Sequence, residues 1–278
     1  MMKSDTKPIY TWDAKPSRRN LTAADIRACK GNKKLTQTTA NTVEEASAAA
    51  DSEIDMLICG ASNVSLVRRG APYNFLTAAL TIPDYPTDDD ILRGALKALQ
   101  NGADSVMTAR RLAVVEMLAR EDIPVMGHLG LVPRKSTWRG GLRAVGRTAS
   151  EALELMQDFR DLENAGAFSV EAEVIPADVL AVISPQTSLI TVSLGSGPGG
   201  DVMYSFQNDI CGENPLPRHA RAFGDLAAIA AQMATERRAA LSAFRVACME
   251  ESFPAQAENA KIPEKELDLF LAGLEDSN

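Results

Sequence analysis

The stretch PVMGHLGLVPRKSTWRGGLRAVGRTASEALELMQDFRDLENAGAFSVEAEV, Pro124 to Val174, carries the reading that decides the fold. It opens on a short apolar run, Pro124 to Gly130, of the length and composition of a buried strand. A glycine-rich loop with Arg134, Lys135, Arg139, Arg143 and Arg147 follows. Thr148 and Glu151 then stand at the spacing of a helix start, and Ala152, Leu155, Phe159 and Leu162 recur at the period of a helix packed on a sheet. Gly166 stands where that helix should stop, and a second apolar run, Phe168 to Val174, comes directly after it. Strand, helix and strand in this order make one βαβ unit with parallel strands.

The same pattern extends outward. Strands are expected at Leu35 to Thr39, Asp55 to Gly60, Phe75 to Leu80, Ser105 to Thr108 and Ser188 to Gly195, with a weaker signal at Met203 to Phe206. Thr42 with Glu45 and Thr87 with Asp90 mark further helix starts, and Gly102 another stop. Eight such strands predict an α/β fold, a (β/α)8 TIM barrel with a helical C-terminal extension. An open doubly wound sheet is the alternative, because the eighth strand is faint. Residues 1–30 are polar and read as an N-terminal arm. Residues 31–278 read as one barrel domain, including a helical tail from about 217 that ends in a frayed LEDSN.

The composition narrows the partners. Lysines and arginines number 29 against 37 aspartates and glutamates, a net charge of −8, which opposes binding to nucleic acid or an anionic membrane. A small-molecule partner fits better. Cys29, Cys59, Cys211 and Cys248 are too scattered for a zinc knuckle or a redox dithiol and read as free thiols. The first twenty residues lack the apolar core of a signal peptide, and no apolar run approaches a membrane span, so the expected setting is cytoplasmic.

In a barrel of this type chemistry sits at the carboxyl ends of the strands. His128 closes the fifth strand, and Glu171 and Glu173 share one face of the sixth. Glu173, nearer the mouth, is the candidate base, with a structural carboxylate paired to an arginine as the other reading. The GSGPGG run contributes Gly195, Ser196 and Gly197, either as a backbone cradle for an anion or as a plain tight turn. Arg110 and Arg111, just past the fourth strand, are candidates to hold an anionic substrate. The basic loop after His128 is either a second clamp or a solvated loop. Asp84, Asp88, Asp89 and Asp90 read as a loop and the charge at a helix start.

Taken together, PVMGHLGLVPRKSTWRGGLRAVGR, LENAGAFSVEAEVIPADVLAVI and TVSLGSGPGGDVMYSFQNDICGE resemble the ketopantoate hydroxymethyltransferase family, from about Leu35 to Asp225. The resemblance implies a TIM barrel, assembled as a decamer in that family, that moves a one-carbon unit from methylenetetrahydrofolate onto a branched 2-oxo acid with magnesium. It implies His128 at the keto acid, Glu173 as the base beside the carbonyl, and Ser62 at the substrate carboxylate. The chain also departs from the family. Ala61 and Ala79 occupy the two positions of the metal-binding aspartates, Met107 and Ala109 replace a lysine and a glutamate, and only Asn63 to Val67 separate Ser62 from Arg68.

A hard dication needs oxygen ligands, so no metal ligand is expected at Ala61 or Ala79. The expectation is therefore an enzyme of this family type that makes or breaks a carbon–carbon bond beside the carbonyl of a small 2-oxo acid without magnesium, as a homo-oligomer. Two other readings stand beside it: a noncatalytic ligand-binding barrel, and a lyase or hydrolase of the wider phosphoenolpyruvate-utilising barrel group.

Overall fold

The computed structural model describes residues 6–275. Residues 1–5 of the expected arm and residues 276–278 of the expected frayed end lie outside the described residues. Met1 to Gly224 form one compact unit, and a second begins at Asp225.

The first unit starts with an antiparallel pair, β1 (Lys7–Tyr10) and β2 (Pro16–Arg19), and a short helix, α1 (Ala23–Ala28). Then strands and helices alternate: β3 (Leu35–Thr39), α2 (Val43–Asp51), β4 (Met56–Gly60), α3 (Val64–Gly70), β5 (Phe75–Ala79) and α4 (Asp88–Gln100). The alternation continues through β6 (Ser105–Met107), α5 (Leu112–Arg120), β7 (Val125–Gly130), α6 (Ala149–Asn164), β8 (Ser169–Glu173) and α7 (Ala177–Ile183). It ends with β9 (Ile190–Leu194), β10 (Val202–Ser205) and the short α8 (Gln207–Cys211).

β3 to β10 close into a parallel barrel in the order β10-β3-β4-β5-β6-β7-β8-β9. The faint last strand settles the topology. β10 pairs with β9 on one side and with β3 on the other, so no open edge is left.

Strand alternation sorts the core into two clusters. One includes Leu57, Leu76, Val106, Val125 and Val170 with the helix residues Ile91, Leu118 and Phe159, and so lies between the barrel and its helices. The other joins Met56, Ile58, Phe75, Met126, Val192 and Tyr204 inside the barrel. Ile26 of α1 belongs to this inner cluster, with Leu35 and Phe168, which places α1 at the amino-terminal end of the strands.

Of the stretch expected to form a polar arm, Arg19 and Ile26 are buried at the barrel floor. For Arg19 the reason is a charge pairing across sequence. Arg19, 2% exposed, donates from Nε to Asp104 Oδ1 at 2.6 Å, and Arg68 donates from Nη2 to Asp104 Oδ2 at 2.9 Å.

The second unit contains α9 (Leu226–Met249) and α10 (Glu264–Glu275). The tail expected to belong to the barrel domain is a compact unit of its own, with its boundary at Asp225. Within it Phe244 and Phe253 meet edge to face at 5.4 Å between ring centres. No described helix is long and apolar enough to cross a membrane, and the four cysteines are free thiols.

Candidate active site

The register of β7 against β8 sets His128 opposite Glu171 and Gly130 opposite Glu173. The His128, Glu171 and Glu173 side chains come together near the carboxyl ends of these strands. His128 Nε2 lies 2.8 Å from Glu173 Oε2 and 3.6 Å from Glu171 Oε1. The side chains are 6%, 13% and 6% exposed for His128, Glu173 and Glu171.

Such burial penalises charge, and its effect differs across the group. Burial pushes the Glu171 carboxyl up to about 7, against the opposing pull of His128. Burial alone would pull the His128 imidazole down. The hydrogen bond to Glu173, the charges of Glu171 and Glu173 and a backbone hydrogen bond at Leu131 outweigh it, so the imidazole stays charged to higher pH than usual.

The backbone fixes this group from behind. Leu131 N–H donates to the Glu173 carbonyl at 2.8 Å, and Val174 N–H to the Leu194 carbonyl at 2.8 Å. Gly130 has φ +85°, and a Cβ there would stand 2.2 Å from the Glu173 carbonyl oxygen. Gly130→Ala is expected to destabilise the barrel by about 1–3 kcal/mol and to displace Glu173. Chemical denaturation tests this, and a variant as stable as the parent would refute it. Val174 itself has φ +49°, a left-handed conformation that a β-branched residue adopts only under strain.

A cavity of about 320 Å³ lies at strand ends of the same barrel mouth, lined by Gly60, Ala61, Ser62, Ala79, Thr81, Asp84 and Tyr85. Ser62 is exposed at its edge. Ala61 and Ala79 offer only methyl groups, and Asp84 accepts a hydrogen bond from Thr81. This donor set does not fit magnesium. A different donor set lies on β7 and β8: one ligand atom each from His128, Glu171 and Glu173 falls within 4.8 Å of the others. One nitrogen and two oxygens suit zinc or manganese better than magnesium. As the side chains stand, a hydrogen bond fills the gap between His128 and Glu173.

The other expected site residues have partners within the protein. Arg110 donates to Asp88 at 3.2 Å and to the carbonyls of Tyr85 and Pro86 at 2.9 and 3.1 Å, and Arg111 also pairs with Asp88. These arginines therefore pin the loop that carries Asp84 and Tyr85, in place of the expected direct hold on substrate. Asp88 does more than charge the start of α4, since it anchors both guanidiniums.

Ser196 is fully buried; its Oγ donates to the Ala172 carbonyl and accepts from Ile175 N–H, both at 2.8 Å. Gly195 (φ +65°) lies against His219, and Gly197 (φ +77°) against Ala177. The GSGPGG run is thus a tight turn bolting β8 to β9, and its hydroxyl is not presented to a ligand. In the basic loop, Arg143 pairs with Glu151 at 2.5 Å and Arg134 donates to the Ala109 carbonyl.

Sequence reasoning did not single out Gln37 or Tyr204. Gln37 is 2% exposed with no partner for either side-chain polar atom among the described residues, and Ser169 Oγ is likewise unpartnered. Gln37 pairs in register with Tyr204, so the barrel interior is polar below the mouth as well as at it. Strand alternation would have placed both inside, had the inward face been scanned for polar residues.

A closed parallel barrel with a histidine and two glutamates converging at its mouth defines an α/β barrel protein equipped for acid–base chemistry. The sequence profile described as ketopantoate hydroxymethyltransferase matches residues 61–256. The chain belongs to the ketopantoate hydroxymethyltransferase family. It is 31% identical to the 3-methyl-2-oxobutanoate hydroxymethyltransferase of Roseiflexus sp. (strain RS-1), over 76% of each chain. It is 30% identical to the enzyme of the same name from Nitratidesulfovibrio vulgaris (strain DP4), over 92% of this chain and 91% of that one. The fold is shared with phosphoenolpyruvate phosphomutase from Streptomyces platensis subsp. rosaceus, at TM-score 0.51 and 11% identity over 92% of this chain and 96% of that one.

Proposed function

We propose that the protein is a hydroxymethyltransferase-like or aldolase-like enzyme that makes or breaks a carbon–carbon bond beside the carbonyl of a small, anionic 2-oxo acid. The observation that carries this reading is the 2.8 Å contact between His128 and Glu173 at the barrel mouth. Glu173 takes the proton from the carbon next to the carbonyl through the carboxylate oxygen that His128 does not hold. The imidazolium then supplies positive charge near the developing enolate. Ser62, which lines the cavity, meets the substrate carboxylate in this reading. The resulting carbon nucleophile attacks a one-carbon donor, which in the relatives' reaction is a hydroxymethyl donor, or the reverse step releases one. The reaction runs without magnesium at Ala61 and Ala79, in a cytoplasmic homo-oligomer.

The test is deuterium incorporation at C3 of 3-methyl-2-oxobutanoate and at the matching carbon of related 2-oxo acids, followed by NMR in D2O with EDTA present. Enzyme-dependent exchange is the expected result. A panel of oxo acids that binds but shows no exchange would sink the reading and favour a noncatalytic ligand-binding barrel, which the methyl-lined positions at Ala61 and Ala79 make the second reading.

A further inference from the structure

We propose that His128, Glu171 and Glu173 form a binding site for a divalent transition-metal ion, zinc fitting best, and that the bound ion silences the acid–base pair. Binding of the ion stands independently of the function proposed above, and only its effect on proton exchange rests on that reading. The three donors come from two neighbouring strands. The ladder sets His128 beside Glu171, and Glu173 follows two residues later on the same face of β8. Zinc bonded to nitrogen and oxygen at about 2.0–2.2 Å holds tetrahedral ligand atoms about 3.3–3.6 Å apart. Here Nε2 stands 2.8 Å from Glu173 Oε2 and 3.6 Å from Glu171 Oε1, and ligand atoms of all three lie within 4.8 Å of one another.

Glu171 gives an independent sign of a ligand. It is 5% exposed, and its carboxyl accepts no hydrogen bond among the described contacts. A buried carboxyl without a donor is costly, and such groups are paired or bound to a metal. The imidazole cannot serve both glutamates, because Nε2 is already hydrogen-bonded to Glu173. A singly charged imidazolium would also leave two carboxylates one charge short, whereas a dication matches them. Arg110 and Arg111 are tied to Asp88 and do not supply the balance.

The donor set selects the ion. One imidazole nitrogen with two carboxylate oxygens suits zinc, while magnesium and calcium call for oxygen alone. Three protein ligands leave a tetrahedral position for water or a substrate oxygen. No other group of histidine, cysteine and carboxylate side chains among the described residues comes together in this way. His219 lies against Gly195, and the four cysteines are free thiols. An ion at this site takes up Nε2 and Oε2, the atoms of the 2.8 Å contact, so the loaded protein loses the pair that moves the proton.

Calorimetric titration of EDTA-treated, dialysed full-length protein with zinc, manganese and magnesium chlorides tests the binding. The expected result is a single zinc site, weaker binding of manganese and none of magnesium. Glu171→Gln should weaken zinc by more than the roughly 10- to 100-fold that loss of an outer-shell partner costs. Deuterium exchange by the parent should fall by about 10²-fold in slight zinc excess, and EDTA should restore it.

A parent that binds no zinc would overturn the proposal. Zinc held as tightly by Glu171→Gln, or by His128→Asn should the first variant not fold, would also overturn it and show adventitious binding only. Zinc that binds as expected but leaves exchange at the parent rate would overturn the silencing. If the parent exchanges no oxo acid in EDTA, the functional reading fails, and the calorimetry still decides the metal site.

Discussion

Glu173→Gln is expected to lower the rate of oxo acid proton exchange by about 10²- to 10⁴-fold, the usual contribution of a positioned general base. The amide keeps the shape of the side chain and can still accept from His128 Nε2, now 2.8 Å from Oε2. What it loses is the ability to take a proton from carbon. The variant should therefore fold and bind substrate with the parent's affinity while failing in chemistry. That split separates a base from a structural carboxylate, whose loss would appear in stability. Single-turnover exchange with a thermal melt on the same sample reads both. A variant retaining more than a tenth of the parent rate would remove Glu173 from the mechanism.

The largest effect on stability is expected at the opposite end of the barrel. Asp104 accepts from Arg19 Nε at 2.6 Å, Arg68 Nη2 at 2.9 Å and the Leu76 amide at 2.9 Å. The Arg19 and Arg68 side chains are 3% and 15% exposed. Burial pulls the Arg68 guanidinium down to about 10 despite the support of Asp104, so little other charge compensates it. Asp104→Ala would leave two buried guanidiniums facing each other, at a cost of about 3–5 kcal/mol. By contrast, removing Asp89 from its exposed pair with Arg93 should cost less than about 0.5 kcal/mol. Urea denaturation of both variants checks the contrast. An Asp104→Ala protein within 1 kcal/mol of the parent, on the same order-of-magnitude scale, would contradict the buried-pair account.

The sequence made the fold legible where the pattern was local. The strand from Pro124 to Gly130 and the helix after Thr148 lie where apolar spacing and capping residues placed them, because these signals act within a few residues. His128 and Glu173 meet because both face inward near the carboxyl ends of their strands and the two strands are neighbours, which chain order predicts. β10 was faint because only Val202 and Tyr204 of its four residues face the interior.

Signals that depend on distant partners were not legible. Polar residues 16–19 read as an arm, since nothing near them announces that Arg19 would find Asp104 85 residues later. Arg110 looked free until Asp88 was placed beside it by the fold. Ser196 looked like part of an anion cradle because a glycine-rich run has one spelling whether its hydroxyl faces a ligand or the backbone of β8.

Val174 offers a lesson for anyone engineering this barrel. A laboratory selection for heat tolerance would favour glycine or asparagine at that position, because either relaxes the left-handed turn at little cost. The same relaxation would loosen the corner that aims the preceding side chain. Libraries ranked by melting point alone would then enrich sturdier, idler proteins.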